Sequence, residues 1–311
     1  MNTANRHLWV TAFLCLIFSS LSFSQSLVDG FFGGKGELST SLSFTYNSYD
    51  TLFVMGDTEV SPIPAHGEIR QRITNLYANY AVTNNFQIIA NLPYVIADGG
   101  TGNPDPITGN TEFSTFQDLT ILGKYKLFST DMGIGTLSFI GALGFSAPLG
   151  YEPNGILGIG NGAFQGHANL GAHFQSNSNI FGTLIGGYDL KGSAENNFSP
   201  LVEGDFDVPD AANFTAKVGY AGSRVYGDVW LHGYYTQDGP DIMGAGFVDN
   251  FPEVRSRFVS AGANLYVSLV NYLGVVAGFG RLISGDNTGD FTYYTLGLVC
   301  NVDKLRQKTT N

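Results

Sequence analysis

Residues 155–166, GILGIGNGAFQG, hold the spacing that most directly suggests chemistry. Gly158, Gly160 and Ala163 fit G-x-G-x-x-G/A, the pattern that brings a backbone close to the pyrophosphate of a dinucleotide. That chemistry needs a strand before the glycines, a helix after them, and an acid about 20 residues on for the ribose. The segment before, PLGYEPNGIL, carries Pro148 and Pro153 and reads as a loop. The segment after, AFQGHANLGAHFQS, alternates with period two and reads as a strand. No acid stands near position 180, and the next one is Asp189. The pattern fails in all three contexts, so no dinucleotide and no other cofactor is expected.

The histidines are the next candidates. His167 and His173 share the polar parity of one strand. Nucleophilic hydrolysis needs a serine within hydrogen-bond reach of such a histidine, and no nearby serine shares their parity. Asp228 and His232 share a face, but four strand residues put them roughly 13 Å apart, too far for a dyad. His66 lies in a Pro-rich loop. No constellation meets the geometric test for an active site, so no enzyme is expected. The acids of EGDFDVPD (203–210) offer oxygen ligands of the kind calcium takes, but not at EF-hand spacing; a solvated external loop is the favoured reading, and no metal site is expected.

The elements that would position these residues alternate throughout. LSTSLSFTY sets Leu38, Leu42, Phe44 and Tyr46 against Ser39, Ser41, Ser43 and Thr45. Twelve such strands are predicted, at about 36–48, 68–82, 86–97, 115–128, 134–147, 163–175, 179–191, 212–221, 224–236, 256–269, 272–283 and 291–302. Each reaches the roughly 9–11 residues that a tilted membrane-spanning strand needs. Their connections alternate between short turns and long loops, the sorting of an outer-membrane barrel. Composition agrees. Charged residues are 13%, aromatic residues 14%, and glycines number 41 of 311, against roughly 25% charged in ordinary soluble domains.

This assigns a face to each charge. Asp118, Lys124, Lys126, His167, His173, Asp189, Lys191, Lys217, Asp228 and His232 all fall on the polar, lumen-facing parity. They would either form an ion-pair network that stiffens the barrel or a charged constriction that sorts solutes; the pattern leaves both open. Trp230 falls on the same parity, as do Phe181, Tyr226, Tyr234, Phe258, Tyr266 and Tyr293. These rings would line a path for apolar solutes or pack the lumen and its rims.

The ends fit export. Arg6, the apolar run LWVTAFLCLIF (8–18) and the small residues of SSLSFS describe a secretory signal over 1–24, too short to span a bilayer. Leu14 is too large for a lipobox before Cys15. Cleavage would leave the single cysteine Cys300, with no intramolecular disulfide, and would take the net charge from −11 to −12. An acidic exported chain is a poor match for nucleic acid. The barrel would cover 25–302, with DKLRQKTTN (303–311) as a periplasmic tail. TLGLVCNV (295–302) resembles the C-terminal signal read by the barrel-assembly machinery, with Cys300 where an aromatic is usual.

Over residues 117–191 the sequence resembles a known family, the outer-membrane transporters named for the meta-pathway of phenol degradation. The resemblance rests on QDLTILGKYKLF, on FSAPLG, on GILGIGNGAFQG and on GTLIGGYDLKG; DGFFGGKGE and NLPYV are similar to other exported barrels of this sort. It implies a β-barrel in outer-membrane lipid that passively admits small hydrophobic or aromatic solutes, distantly like the long-chain fatty-acid channels. A general hydrophilic pore or a closed structural barrel is the alternative. Those fatty-acid channels carry a long N-terminal plug, whereas only ten residues, QSLVDGFFGG, precede the first strand here, so a plug of that kind is not expected.

Overall fold

The computed structural model describes residues 27–54, 58–151, 153, 155–196, 204–247 and 250–302. The expected signal (1–24) and tail (303–311) lie outside these residues. Twelve strands dominate: β1 Leu38–Tyr49, β2 Ile69–Thr83, β3 Phe86–Gly99, β4 Asp118–Asp131, β5 Gly135–Pro148, β6 Gln165–Ser176, β7 Ile180–Lys191, β8 Ala211–Ala221, β9 Val225–Thr236, β10 Arg257–Val270, β11 Leu273–Asp286 and β12 Thr292–Asn301. No boundary departs from the sequence expectation by more than three residues, because the period-two pattern and the turn residues mark both ends of each strand.

Every strand pairs antiparallel with its neighbours in sequence, and β12 closes on β1 from Ser39↔Asn301 to Ser48↔Thr292. Closure pairs the two edges that an open sheet would expose, as a sheet in hydrocarbon requires. Both ends of the barrel chain lie on the rim of the short turns, since Leu38 pairs with Tyr80 near the 83–86 turn. The faces invert those of a water-soluble sheet. Leu143, Leu170, Leu184 and Ile283 stand outward and exposed, whereas Thr45, Gln87, Thr120, Thr183 and Thr215 are buried inside.

A bulge just before β4 positions a loop at the mouth. Residues Glu112–Phe116 continue the line of β4 along β3, with Tyr94 opposite Phe116 and Asn91 opposite Thr120. Three steps on β3 therefore face four on the other strand, and Gln117 is the extra residue. It turns its amide to the carbonyl of Ile159 and so anchors the glycine-rich loop over the mouth of the barrel.

The long loops build small apolar cores of their own. Ile63, Ile69 and Leu157 form one, Ala163, Ala194, Phe206 and Val208 another, and Val54, Ile242 and Val254 a third.

Candidate functional site

The lumen is occupied at its short-turn half by the chain's own N-terminal segment. Val28 packs with Ile89, Leu122, Ile140, Ala142 and Ile185 of β3, β4, β5 and β7. Phe31 meets His173, Phe181 and Tyr226 edge-on, at 4.7, 5.0 and 5.8 Å between ring centroids. Contacts to strands around so much of the wall place these residues inside the barrel. The sequence reading expected no long plug of the fatty-acid-channel kind; the described residues before β1 instead thread a short plug inward.

Lys124 holds the plug. Its Nζ donates to Asp29 Oδ1 at 2.6 Å and to the Phe31 carbonyl at 2.7 Å, and it lies 4.6 Å over the Phe32 ring. Lys126 lies over the same ring at 4.8 Å. Burial pushes the Asp29 carboxyl up. The Lys124 charge and hydrogen bond, with Lys217 and the Phe31 amide, more than offset this and hold it below its ordinary 3.8. Gly30 touches His173 so closely that a Cβ there would sit 2.0 Å from Nδ1.

Beyond the plug lies a chamber of about 400 Å³. Leu27 and Val28 form its floor, and Tyr49, Tyr234, Phe258, Phe291 and Tyr293 line one side. Those rings form a continuous apolar wall. Phe258 lies 5.4 Å from Tyr234 and 5.8 Å from Phe291, and Phe291 lies 6.2 Å from Tyr293.

The opposite wall is a polar row crossing five strands. Thr120 Oγ1 lies 2.7 Å from Ser146 Oγ, and Ser146 Oγ lies 2.7 Å from His167 Nε2. His167 Nδ1 lies 2.7 Å from Asp189 Oδ1, and Asn213 Nδ2 donates to Asp189 Oδ2 at 3.0 Å. A carboxylate oxygen accepts, so the geometry sets His167 Nδ1 to donate to Asp189 and leaves Nε2 facing Ser146 Oγ. Among the described residues, no lysine or arginine lines the chamber.

Toward the long-loop rim the chamber meets a vestibule of about 310 Å³; Tyr49, Tyr234, Thr288 and Gly289 belong to both. GILGIGNG folds inward across this mouth, with Leu157 and Ile159 buried. This loop at the long-loop rim therefore acts as a lid over the vestibule. Tyr151 secures it, donating to Asp118 Oδ1 at 2.6 Å and accepting from the Gly162 amide at 3.2 Å. Burial first, and then the neighbouring Asp118 carboxylate, push the Tyr151 phenol well up from its ordinary range.

The residues singled out in the sequence fall at three depths. Lys124, Lys126 and His173 surround the plug, and His173 is hydrogen-bonded to Thr183 at 2.7 Å. Lys217 and Asp228 are buried; Asp228 accepts from Tyr226 and, at 2.5 Å, from Asn264. His167, Asp189 and His232 line the chamber, with His232 2.9 Å from Thr215 Oγ1. Trp230 stacks on the chamber residue Tyr293 at 6.3 Å. Asp118 and Lys191 sit at the mouth. Lys191 Nζ donates to Tyr234 at 2.5 Å, and Asp118 also accepts from Gln165 at 3.1 Å.

In the acidic loop, Asp207 accepts from Ser193 and Asp210 from the Lys191 amide; Glu203 lies outside the described residues. Sequence reasoning missed Asp29 and Ser146. Ser146 sits on β5, one strand away from His167, and only the pairing register brings the two together. It corrects the premise that no serine lies within reach of that histidine.

No family model and no curated protein matches this sequence. Solved structures do match in shape. The crystal structure of an outer membrane channel from Pseudomonas putida F1 superposes with a TM-score of 0.69 at 12% identity, over 88% of this chain and 99% of that one. The NanC porin reaches 0.48 at 9% identity over 84% and 98%, and the TodX monoaromatic hydrocarbon channel 0.37 at 10% over 86% and 90%. At these identities the first likeness establishes the fold. With closure at β1–β12 and an apolar outer face, it identifies the chain as a twelve-stranded outer-membrane β-barrel.

Proposed function

We propose that this barrel is a channel for passive passage of small hydrophobic or aromatic solutes. The aromatic-walled chamber carries the reading. A cavity of about 150 Å³ suffices for benzene, so 400 Å³ accommodates one or two rings. A solute would pass from the vestibule between Tyr49, Tyr234, Thr288 and Gly289, rest against Phe258, Phe291 and Tyr293, and leave when the plug yields. His167, Asp189 and His232 orient it from the polar wall. Lys124, Lys126, His173 and Lys217 seat the plug, Asp228 holds the plug contact Tyr226, and Asp118 and Lys191 hold the mouth. The resemblance to the meta-pathway transporters points the same way, and the partners implied are outer-membrane lipid, the solute and the barrel-assembly machinery. The polar wall favours a second reading, a general hydrophilic pore.

Trp9 and Trp230 are the only tryptophans, so the refolded chain from Gln25 reports through Trp230 alone, against the chamber. Titration with naphthalene is expected to change its emission saturably, and titration with glucose to leave it unchanged. No response to naphthalene together with a large ohmic current in a planar bilayer would instead establish the hydrophilic pore.

A further inference from the structure

The wall of the chamber holds more than a passage needs. Ser146, His167 and Asp189 stand on the consecutive strands β5, β6 and β7, and all three line the chamber. His167 is the direct cross-strand partner of Asp189, and Thr120 of Ser146. The ladder therefore fixes the row on rigid elements, which hold geometry better than loops do. The two 2.7 Å contacts of His167 link a hydroxyl, an imidazole and a carboxylate in the order that activates a serine. Asn213 fixes the carboxylate from its far side. A network needed only for packing could run its donors and acceptors in any order. This one sets one ring nitrogen of His167 on the hydroxyl and the other on the acid.

We propose that the chamber is also a hydrolytic site for small neutral carboxylic esters, with Ser146 as nucleophile, His167 as general base and acid, and Asp189 as the group that orients it. Ser146 Oγ attacks the ester carbonyl carbon while its proton passes to His167 Nε2. The tetrahedral intermediate collapses, the carbon–oxygen bond to the leaving alcohol breaks, and His167 returns the proton to that alcohol. Water, deprotonated by His167, then attacks the acyl-serine, releases the carboxylic acid and restores Ser146. Thr120, 2.7 Å from Ser146 Oγ, is the nearest side-chain donor to the oxyanion; backbone amides in the ladder are already spent on strand pairing. The substrate class follows from the walls. The described lining offers no lysine or arginine to hold a carboxylate or phosphate, its apolar side is aromatic, and its volume of about 400 Å³ suits a short acyl chain.

The test uses the refolded chain from Gln25 with p-nitrophenyl acetate, p-nitrophenyl palmitate and a fluorophosphonate probe. The acetate is expected to be hydrolysed and the palmitate not. The fluorophosphonate is expected to mark the peptide that contains Ser146. Ser146→Ala and His167→Asn are expected to lower the rate by about a hundredfold or more, with the heat-modifiable band of each variant unchanged from that of the wild type. Thr120→Ser is expected to retain more activity than Thr120→Ala, which a purely structural threonine would not require. If folded wild-type barrel, judged by its heat-modifiable band, hydrolyses the acetate no faster than Ser146→Ala and takes no label at Ser146, the proposal is overturned. The naphthalene response then stands or falls separately, so loss of hydrolysis does not decide the channel reading.

Discussion

Lys124 Nζ stands 2.6 Å from Asp29 Oδ1, a contact between residues 95 positions apart that ties the N-terminal segment to the fourth strand. The Lys124 side chain is fully buried, so its charge is tolerated only while Asp29 and the Phe31 carbonyl pair with it. Lys124→Met is expected to release the plug rather than unfold the barrel, because the strand ladder does not depend on it. Losing about 1.4 kcal/mol of latch raises the unlatched population about tenfold. Single-channel recordings should show more frequent opening. Gly30→Val, which drives a side chain into His173, should do the same without changing charge.

Acid should open the same latch. The Asp29 carboxyl titrates below its ordinary 3.8, so its contribution is complete above that value and disappears as pH falls through the lowered one. Conductance is expected to stay low from neutral pH down to about pH 4 and to rise below it. In Asp29→Asn the acid step should vanish. A step that persists in that variant would place the titrating group elsewhere.

Gly289 and Tyr49 are two of the four residues that line both vestibule and chamber. A Cβ at Gly289 would lie 2.3 Å from the Tyr49 ring, so Gly289→Val must push the ring aside or into the passage. Stopped-flow quenching of Trp230 by an aromatic solute should slow in Gly289→Val and accelerate in Tyr49→Ala. Equal rates in all three proteins would show that solute reaches the chamber another way.

Tyr151 is one of the anchors of the lid, beside Gln117. Tyr151→Phe removes the hydrogen bonds to Asp118 and the Gly162 amide and leaves a half-buried carboxylate short of a donor, at a cost of about 1 kcal/mol. Limited proteolysis should cut within 149–164 faster in the variant, with strand content unchanged by circular dichroism.

Leu143 tests the outer face. It is 70% exposed near the middle of β5, so Leu143→Arg places a charge in hydrocarbon and should cost about 2–4 kcal/mol. Equilibrium unfolding in lipid vesicles measures this directly. An unchanged midpoint would mean that this face does not meet acyl chains.

The strands, their number, the sorting of the loops and the polar inner face are all legible in the sequence, because side-chain direction in a strand repeats every second residue and needs no knowledge of the partner strand. The charges and aromatics of the inner face follow from the same parity, which is why His167, Asp189 and Trp230 can be assigned to it without coordinates. Parity says nothing about depth or neighbours. Which lysine meets Asp29, which serine meets His167, and whether GILGIGNG hangs free or folds inward depend on the stagger between strands and on where a short leader can travel. Gln117 shows why: one extra residue in a bulge resets the register of everything beyond it. The plug was hidden for a related reason. Val28 and Phe31 look like ordinary apolar residues before a first strand, and only the closed barrel creates the interior, lined by Ile89, Leu122, Ile140 and Ile185, in which burying them is favourable.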